Sequence, residues 1–243
     1  MKNFRLFKTN DYEELSIQSA RVFSGAVLSK PNGTFGFATG STPEGMYKEL
    51  VRLSNEGLVL FSGITAFNLD EYYPIAPSDE QSYSYFMAKK FFDLVGVPLS
   101  KRNIPGANND PKIDCDLYEE KLASGDLIEM QILGIGTNGH IGFNEPSDTF
   151  PGRTHLVRLA ESTIKSNAKF FKHPADVPKS AITMGVGTIM MAKRILLMVS
   201  GEAKAEILRD ALTGPITPLV PASALQLHRN VTIVVDKAAA KYL

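Results

Sequence analysis

Cysteine is nearly missing from this chain: 243 residues carry one, Cys115. Intramolecular disulfides are therefore excluded, which fits a reducing cytoplasm as the expected location. That thiol stands between Asp114 and Asp116, and flanking carboxylates disfavour the thiolate, so it reads as an incidental helix residue. Net charge is missing as well. The 26 basic and 26 acidic residues cancel, so no overall field draws the chain to nucleic acid or to anionic lipid. No apolar run is long enough to span a membrane. The N-terminal segment lacks the apolar core of a signal peptide. Low-complexity linkers and internal repeats are also lacking, so residues 1–243 are expected to form one domain. Histidines are few and scattered. His155, His173 and His228 do not stand at ligand spacing from His140, so no metal site is expected.

What is present is an alternation. The chain is 44% hydrophobic and 21% charged, enough for a sizeable core. Strands are expected over 4–7, 34–38, 64–69, 128–135, 154–159, 194–199 and 231–235. Helices are expected from Asn10 as N-cap, from Thr42-Pro43, and over 82–95, 112–123, 161–171, 202–212 and 237–243. Gly214-Pro215 closes the helix over 202–212. Strand–helix alternation of this kind implies an α/β fold: an open, mostly parallel, twisted sheet with helices on both faces, Rossmann-like and doubly wound. The exception is the stretch 147–179, rich in proline, glycine and polar residues, whose place after a glycine-rich turn suits a mobile lid.

In such a sheet, ligands bind beyond the carboxyl ends of the strands. Three motifs fall there. Phe37-Ala38-Thr39-Gly40-Ser41-Thr42-Pro43 runs from a strand straight into a helix N-terminus. Free N–H groups and the Ser41 and Thr42 hydroxyls form an anion site suited to phosphate. It is not a P-loop, because the lysine is missing and the loop is too short. Phe67-Asn68-Leu69-Asp70-Glu71-Tyr72-Tyr73 ends a strand in two adjacent carboxylates. Neighbouring side chains there point apart, and Asp70 is the one expected to face the cleft. Leu133 to Pro146 delivers His140, and Glu145 five residues later, out of a glycine-rich turn. Gly134 to Gly139 spells G-x-G-x-x-G, but past mid-chain rather than in a first βαβ unit, so it is not taken as a nicotinamide site. An anion cradle with an imidazole and carboxylates points to proton transfer on a small phosphorylated molecule.

Leu69-Asp70-Glu71-Tyr72, the block from Gly136 to Pro146, and Leu225-Gln226-Leu227-His228 resemble the glucosamine-6-phosphate deaminases. Thr39-Gly40-Ser41-Thr42-Pro43 fits the same family and is shared with the related 6-phosphogluconolactonases. The resemblance implies conversion of D-glucosamine 6-phosphate and water to D-fructose 6-phosphate and ammonia, with no metal and no organic cofactor. It implies His140 as the ring-opening acid–base, Glu145 as its orienting carboxylate, and Asp70 as the base between C2 and C1. For the phosphate it implies Thr39, Gly40, Ser41 and Thr42 with Lys169 and Lys204. Some relatives carry arginine where Lys169 stands, so a bidentate grip is lost while the charge is kept. Asn138 stands where some members carry aspartate in a ring-opening relay; asparagine can orient His140 but brings no charge.

Longer members are hexamers activated by N-acetylglucosamine 6-phosphate, using basic side chains near the start of the lid and a C-terminal extension. Here His155 and Val157 stand where basic residues are expected, and the sequence stops at Leu243. A monomer or small homo-oligomer with weak or no activation is expected. Two rivals remain. A lactonase needs a phosphate loop and a histidine but no base over C2. A sugar-phosphate sensor would be expected to carry a helix-turn-helix module, which this sequence lacks.

Overall fold

The computed structural model describes residues 4–107, 109–168, 171, 173 and 176–243. In chain order the first half runs β1 (Phe4–Thr9), α1 (Tyr12–Ser29), β2 (Thr34–Phe37), α2 (Ser41–Asn55), β3 (Thr65–Asn68), β4 (Asp70–Tyr73), α3 (Tyr83–Met87), β5 (Arg102–Asn103), α4 (Pro111–Ser124) and β6 (Met130–Leu133). The second half runs β7 (His155–Arg158), α5 (Glu161–Asn167), β8 (Ser180–Thr183), α6 (Val186–Met190), β9 (Ile195–Val199), α7 (Ala205–Thr213) and β10 (Val231–Asp236). Among the described residues these build a seven-stranded sheet in the order β1-β10-β9-β6-β2-β3-β5 and a three-stranded sheet in the order β4-β8-β7.

The large sheet pairs in parallel throughout. Every residue of β2, β6, β9 and β10 is buried, as strands covered on both faces must be. From β2 the chain winds outward through β3 to β5. It then returns to the other side of β2 with β6 and winds through β9 to β10. The winding direction thus reverses between β2 and β6, and the crevice for a ligand opens there, at their carboxyl ends. Phe37, the last residue of β2, fixes the floor beside that crevice. Its ring packs edge-on against Phe23 and Phe92 at 5.5 and 5.2 Å and tilted against Tyr47 and Phe91. The Tyr47 hydroxyl donates to the Ala38 carbonyl at 2.5 Å, so α2 pins the end of β2 where the loop begins.

Local chemistry moves several expected boundaries. The N-cap of α1 is Asp11, not Asn10: the Asp11 carboxylate accepts from the Glu14 N–H. Asn10 instead gives its backbone N–H and side-chain amide to the Glu14 carboxylate. The cap thus sits one residue later than expected, and the Glu14 carboxylate reaches back past it to Asn10. α2 starts at Ser41 with Gly40 as N-cap, placing Pro43 in the first turn. The expected helix over 82–95 is a short α-helix, capped by Ser82, that widens into a π-helix over Ala88–Phe92. Residues 237–242 form turns rather than a helix.

The small antiparallel sheet is the main departure from the expected architecture. β4 pairs with β8, and β8 with β7. The strand expected over 154–159 is therefore real but belongs to this second sheet. The stretch 147–179 carries β7 and α5. The two sheets meet at Leu69, whose N–H donates to the Phe37 carbonyl at 2.9 Å and whose carbonyl accepts from the Met184 N–H at 2.8 Å. A second apolar cluster of Tyr72, Phe143, Leu159 and Ala181 fills the space beside it.

Candidate active site

At the switch point lies a cleft of about 320 Å³, lined by Thr39 to Pro43, Leu69, Asp70, Tyr83, Gly134 to Thr137, His140 and Lys204, and on the α5 side by Ser162, Thr163 and Asn167. One expected residue, Lys169, lies outside the described residues.

The anion end is built from backbone. Gly40 has φ of 98°, a left-handed conformation that glycine adopts without strain, and it turns the chain at once into α2. No side chain caps this helix, so its first N–H groups are presented to a guest carrying negative charge. Lys204, in a single 3-10 turn at the start of α7, adds a cation to the same cleft.

The imidazole end is built from a tight turn after β6. The Gly136 N–H donates to the His140 carbonyl at 2.9 Å, and the Gly139 N–H to the Gly136 carbonyl at 3.0 Å. The His140 ring folds back over Gly136, so closely that a Cβ there would collide with the ring. This explains glycine at 136 better than turn formation does. Glu145 faces the ring, with Nδ1 of His140 at 3.3 Å from Oε2. Asn138 donates from Nδ2 to the same oxygen at 2.6 Å, and its Oδ1 accepts from the His140 backbone N–H at 3.2 Å. Asn138 therefore reaches the histidine's backbone and its carboxylate partner, not the ring itself. Burial alone would raise the Glu145 carboxyl. The hydrogen bond and charge of His140, with the Thr163 and Asn138 donors, outweigh burial and hold it down at about 2.

Asp70 opens β4 at the seam between the sheets and lines the cleft. Burial, and then the neighbouring Glu71 charge, push its carboxyl up to about 8. Glu71 points elsewhere, as strand alternation requires. Its carboxylate accepts backbone N–H bonds from Tyr72, Tyr83 and Ser84, which anchors the start of α3. Burial raises Glu71 to about 7 against the pull of those three donors. β4 is stitched to the histidine turn through β8. Asp70 pairs with Thr183, whose Oγ1 accepts from the Phe143 N–H at 3.1 Å. The Asn144 amide donates to the Met184 carbonyl at 2.8 Å. The Tyr83 and Phe143 rings stack at 6.0 Å.

Sequence reading missed Tyr83, Ser162, Thr163 and Asn167 as cleft residues. Tyr83 follows the Ser82 cap, a usable signal; the α5 residues carry no local mark. The Leu225-Gln226-Leu227-His228 segment is structural. It ends the 3-10 stretch Pro221–Leu227, whose Ala222 N–H holds the Gly139 carbonyl at 2.9 Å, and the capping His228 bonds the Ala192 carbonyl through Nε2 at 2.7 Å. Among the described residues, no group of three or more His, Cys, Asp or Glu side chains is arranged to hold a metal ion. No described helix is long and apolar enough to cross a membrane.

A family model described as glucosamine-6-phosphate isomerases/6-phosphogluconolactonase matches residues 13–234. The chain belongs to this family. Within the glucosamine-6-phosphate isomerase/6-phosphogluconolactonase family, a glucosamine-6-phosphate deaminase of Alkaliphilus oremlandii is 48% identical over 234 residues, spanning 96% of this chain and 97% of the relative. That of Clostridium acetobutylicum is 46% identical over 240 residues, spanning 98% and 100%. The solved structure of a monomeric glucosamine-6-phosphate deaminase superimposes with a TM-score of 0.95 at 44% identity, covering 98% of this chain and 100% of its own. A 6-phosphogluconolactonase of Trypanosoma brucei gives a TM-score of 0.77 at 18% identity with full coverage of both chains, a likeness of fold alone.

Proposed function

We propose that this chain is a glucosamine-6-phosphate deaminase, converting D-glucosamine 6-phosphate and water to D-fructose 6-phosphate and ammonia. The observation that carries the reading is near-full-length identity of 48% to a deaminase, in a chain whose cleft places Asp70 and the His140–Glu145 pair beside an uncapped helix N-terminus. The phosphate seats on the amides from Gly40 to Thr42, with Thr39 at the rim, and on Lys204 and Lys169.

The chemistry then follows from proton positions. With Glu145 ionised against Nδ1, the other ring nitrogen of His140 moves a proton to the sugar ring oxygen, and the pyranose opens. Asp70 takes the proton from C2 of the open aldehyde while O1 gains the proton that the amine gives up, giving an enolamine, and Asp70 returns its proton at C1. The product is the 2-imine of fructose 6-phosphate. Water adds to that imine and expels ammonia, which balances the reaction. Asp70 takes the C2 proton from its ionised form, a minority at neutral pH with the carboxyl raised to about 8, and then keeps that proton readily between the two steps. Asn138 holds Glu145 and the histidine backbone in register. Each step is a transfer between side chains and substrate, so the scheme requires no metal or organic cofactor.

In this reading the stretch 147–179 covers the cleft, with α5 as its wall. The enzyme works in the cytoplasm in amino-sugar breakdown, a direction mass action favours while ammonia stays low. It acts as a monomer or small homo-oligomer on a small sugar phosphate, without membrane or nucleic acid. The rate against substrate is hyperbolic with and without N-acetylglucosamine 6-phosphate; a sigmoidal curve abolished by that ligand overturns this part. The central test is ammonia release from glucosamine 6-phosphate without added metal, by wild type and Asp70→Asn. Activity in wild type that collapses in the variant supports reaction and base together. Activity in neither returns the lactonase reading, to be tried on 6-phosphogluconolactone.

A further inference from the structure

Glu145 is held from two directions, and only one belongs to the histidine turn. Its Oε2 takes the Asn138 amide at 2.6 Å and faces His140 Nδ1 at 3.3 Å. Its Oε1 takes the hydroxyl of Thr163 at 2.5 Å and, more distantly, the Ala160 N–H at 3.4 Å. Thr163 lies on α5 and Ala160 is that helix's N-cap. We propose that Thr163 is a positioning residue, coupling the seating of α5 on the cleft to the orientation of the carboxylate that holds His140. The proposal rests on the reading of His140 as the ring-opening acid–base.

The geometry gives the reason. A carboxylate turns freely about its last bond unless both oxygens are engaged. Fixing Oε1 with a short hydroxyl bond sets the plane of the group and so aims Oε2 at the imidazole. A hydroxyl bonded to a charged acceptor is among the stronger neutral-to-ionic contacts, and Thr163 is buried at 3% exposure, where water competes poorly. Among the described residues, His140, Thr163 and Asn138 are the groups that act on the Glu145 carboxyl; Asp70 and Lys204 line the same cleft, and α5 carries Glu161 and Lys165 beside Thr163. A second contact gives the same helix a hold on the other carboxylate's strand. Asn167 Nδ2 donates to the Tyr72 hydroxyl at 2.9 Å, two residues beyond Asp70. Seated, α5 thus touches the supports of both reacting groups, so the ring-opening pair is fully aligned only when the helix is in place.

The test compares Thr163→Val, Thr163→Ala and Thr163→Ser with wild type, reading kcat, KM for glucosamine 6-phosphate and the pH profile of kcat. Valine and alanine remove the hydroxyl, and one of them serves if the other does not fold. The expected result is a fall in kcat of roughly tenfold to a hundredfold with KM within about threefold, because the phosphate end is untouched. Without its Thr163 donor, Glu145 protonates at higher pH, so the second proton of the acidic limb, which Glu145 takes up below the Asp70 ionisation, moves up. Serine restores both kcat and the limb. Wild-type kcat and an unmoved limb in the hydroxyl-less variants overturn the proposal, as does a loss confined to KM or one that serine fails to rescue. His140→Asn is measured alongside. Full activity there removes the parent reading, whereas an inactive His140→Asn with unaffected Thr163 variants removes this proposal alone.

Discussion

Asp70→Asn tests stability and chemistry at once. In the folded protein burial and the Glu71 charge raise the Asp70 carboxyl from 3.8 to about 8. Between those values the native state holds a proton that the unfolded chain releases. The sign follows from linkage: stability from the protonated form is complete below pH 3.8 and is lost as pH rises towards 8. At about 1.4 kcal/mol per pH unit, the full span caps the loss at roughly 5 to 6 kcal/mol. The effective dielectric of a protein site exceeds the dry-interior limit, which brings the expected loss to about 2 to 3 kcal/mol at pH 8. Asparagine does not titrate, so the variant escapes the loss. For a chain of this size each kcal/mol moves Tm by about 2 to 4 °C, so the variant should gain roughly 4 to 12 °C on wild type between pH 4 and pH 8. Thermal unfolding of both proteins across that range is the assay, and the change in their Tm difference cancels any constant cost of the amide. Ammonia release should vanish in the same variant. A Tm difference that stays flat with pH refutes the argument that burial sets the Asp70 proton, whatever the activity does.

Gly136→Ala places a methyl group against the His140 ring; kcat should fall about a hundredfold, since displacing a catalytic group by an ångström costs that much, while circular dichroism stays native. Glu145→Gln should lower kcat far more than Asn138→Ala, because among the described residues Glu145 is the carboxylate in contact with the imidazole; equal losses in steady-state kinetics would mean that Asn138's grip on the turn matters as much as that charge.

Much of this arrangement was legible in the residues. Buried strands such as Ile195–Val199 are continuous apolar runs, and Gly40 before Ser41-Thr42-Pro43 announces a helix entry by its turn chemistry. Asp70, His140 and Glu145 stand beside such breaks, so topology alone sends them to one crevice. The small sheet was illegible for a physical reason. Its strands are four residues each, and Asp70 pairs with Thr183 across more than a hundred positions, so no local period encodes the pairing. The Asn10-for-Asp11 error has a different origin. Both are good caps, and the choice is made by which of them leaves Glu14 free to reach back. Thr163 was hidden because its partner, Glu145, is eighteen residues away and nothing in its own helix marks it.

The seam at Leu69 has a consequence for how such a molecule can change. The backbone amides proposed to hold the phosphate follow β2 of the large sheet and open α2, while Asp70, proposed as the base, belongs to the small sheet through β4. In that reading grip and reactivity lie on different sheets, which meet at Leu69 through the chain itself and through its hydrogen bonds to Phe37 and Met184. Substitutions along β7 and β8 can shift the reactive group by fractions of an ångström without disturbing the anchor. Changes confined to β7 and β8, four residues each, are thus expected to alter the reactive end while the loop after β2 keeps its anion anchor.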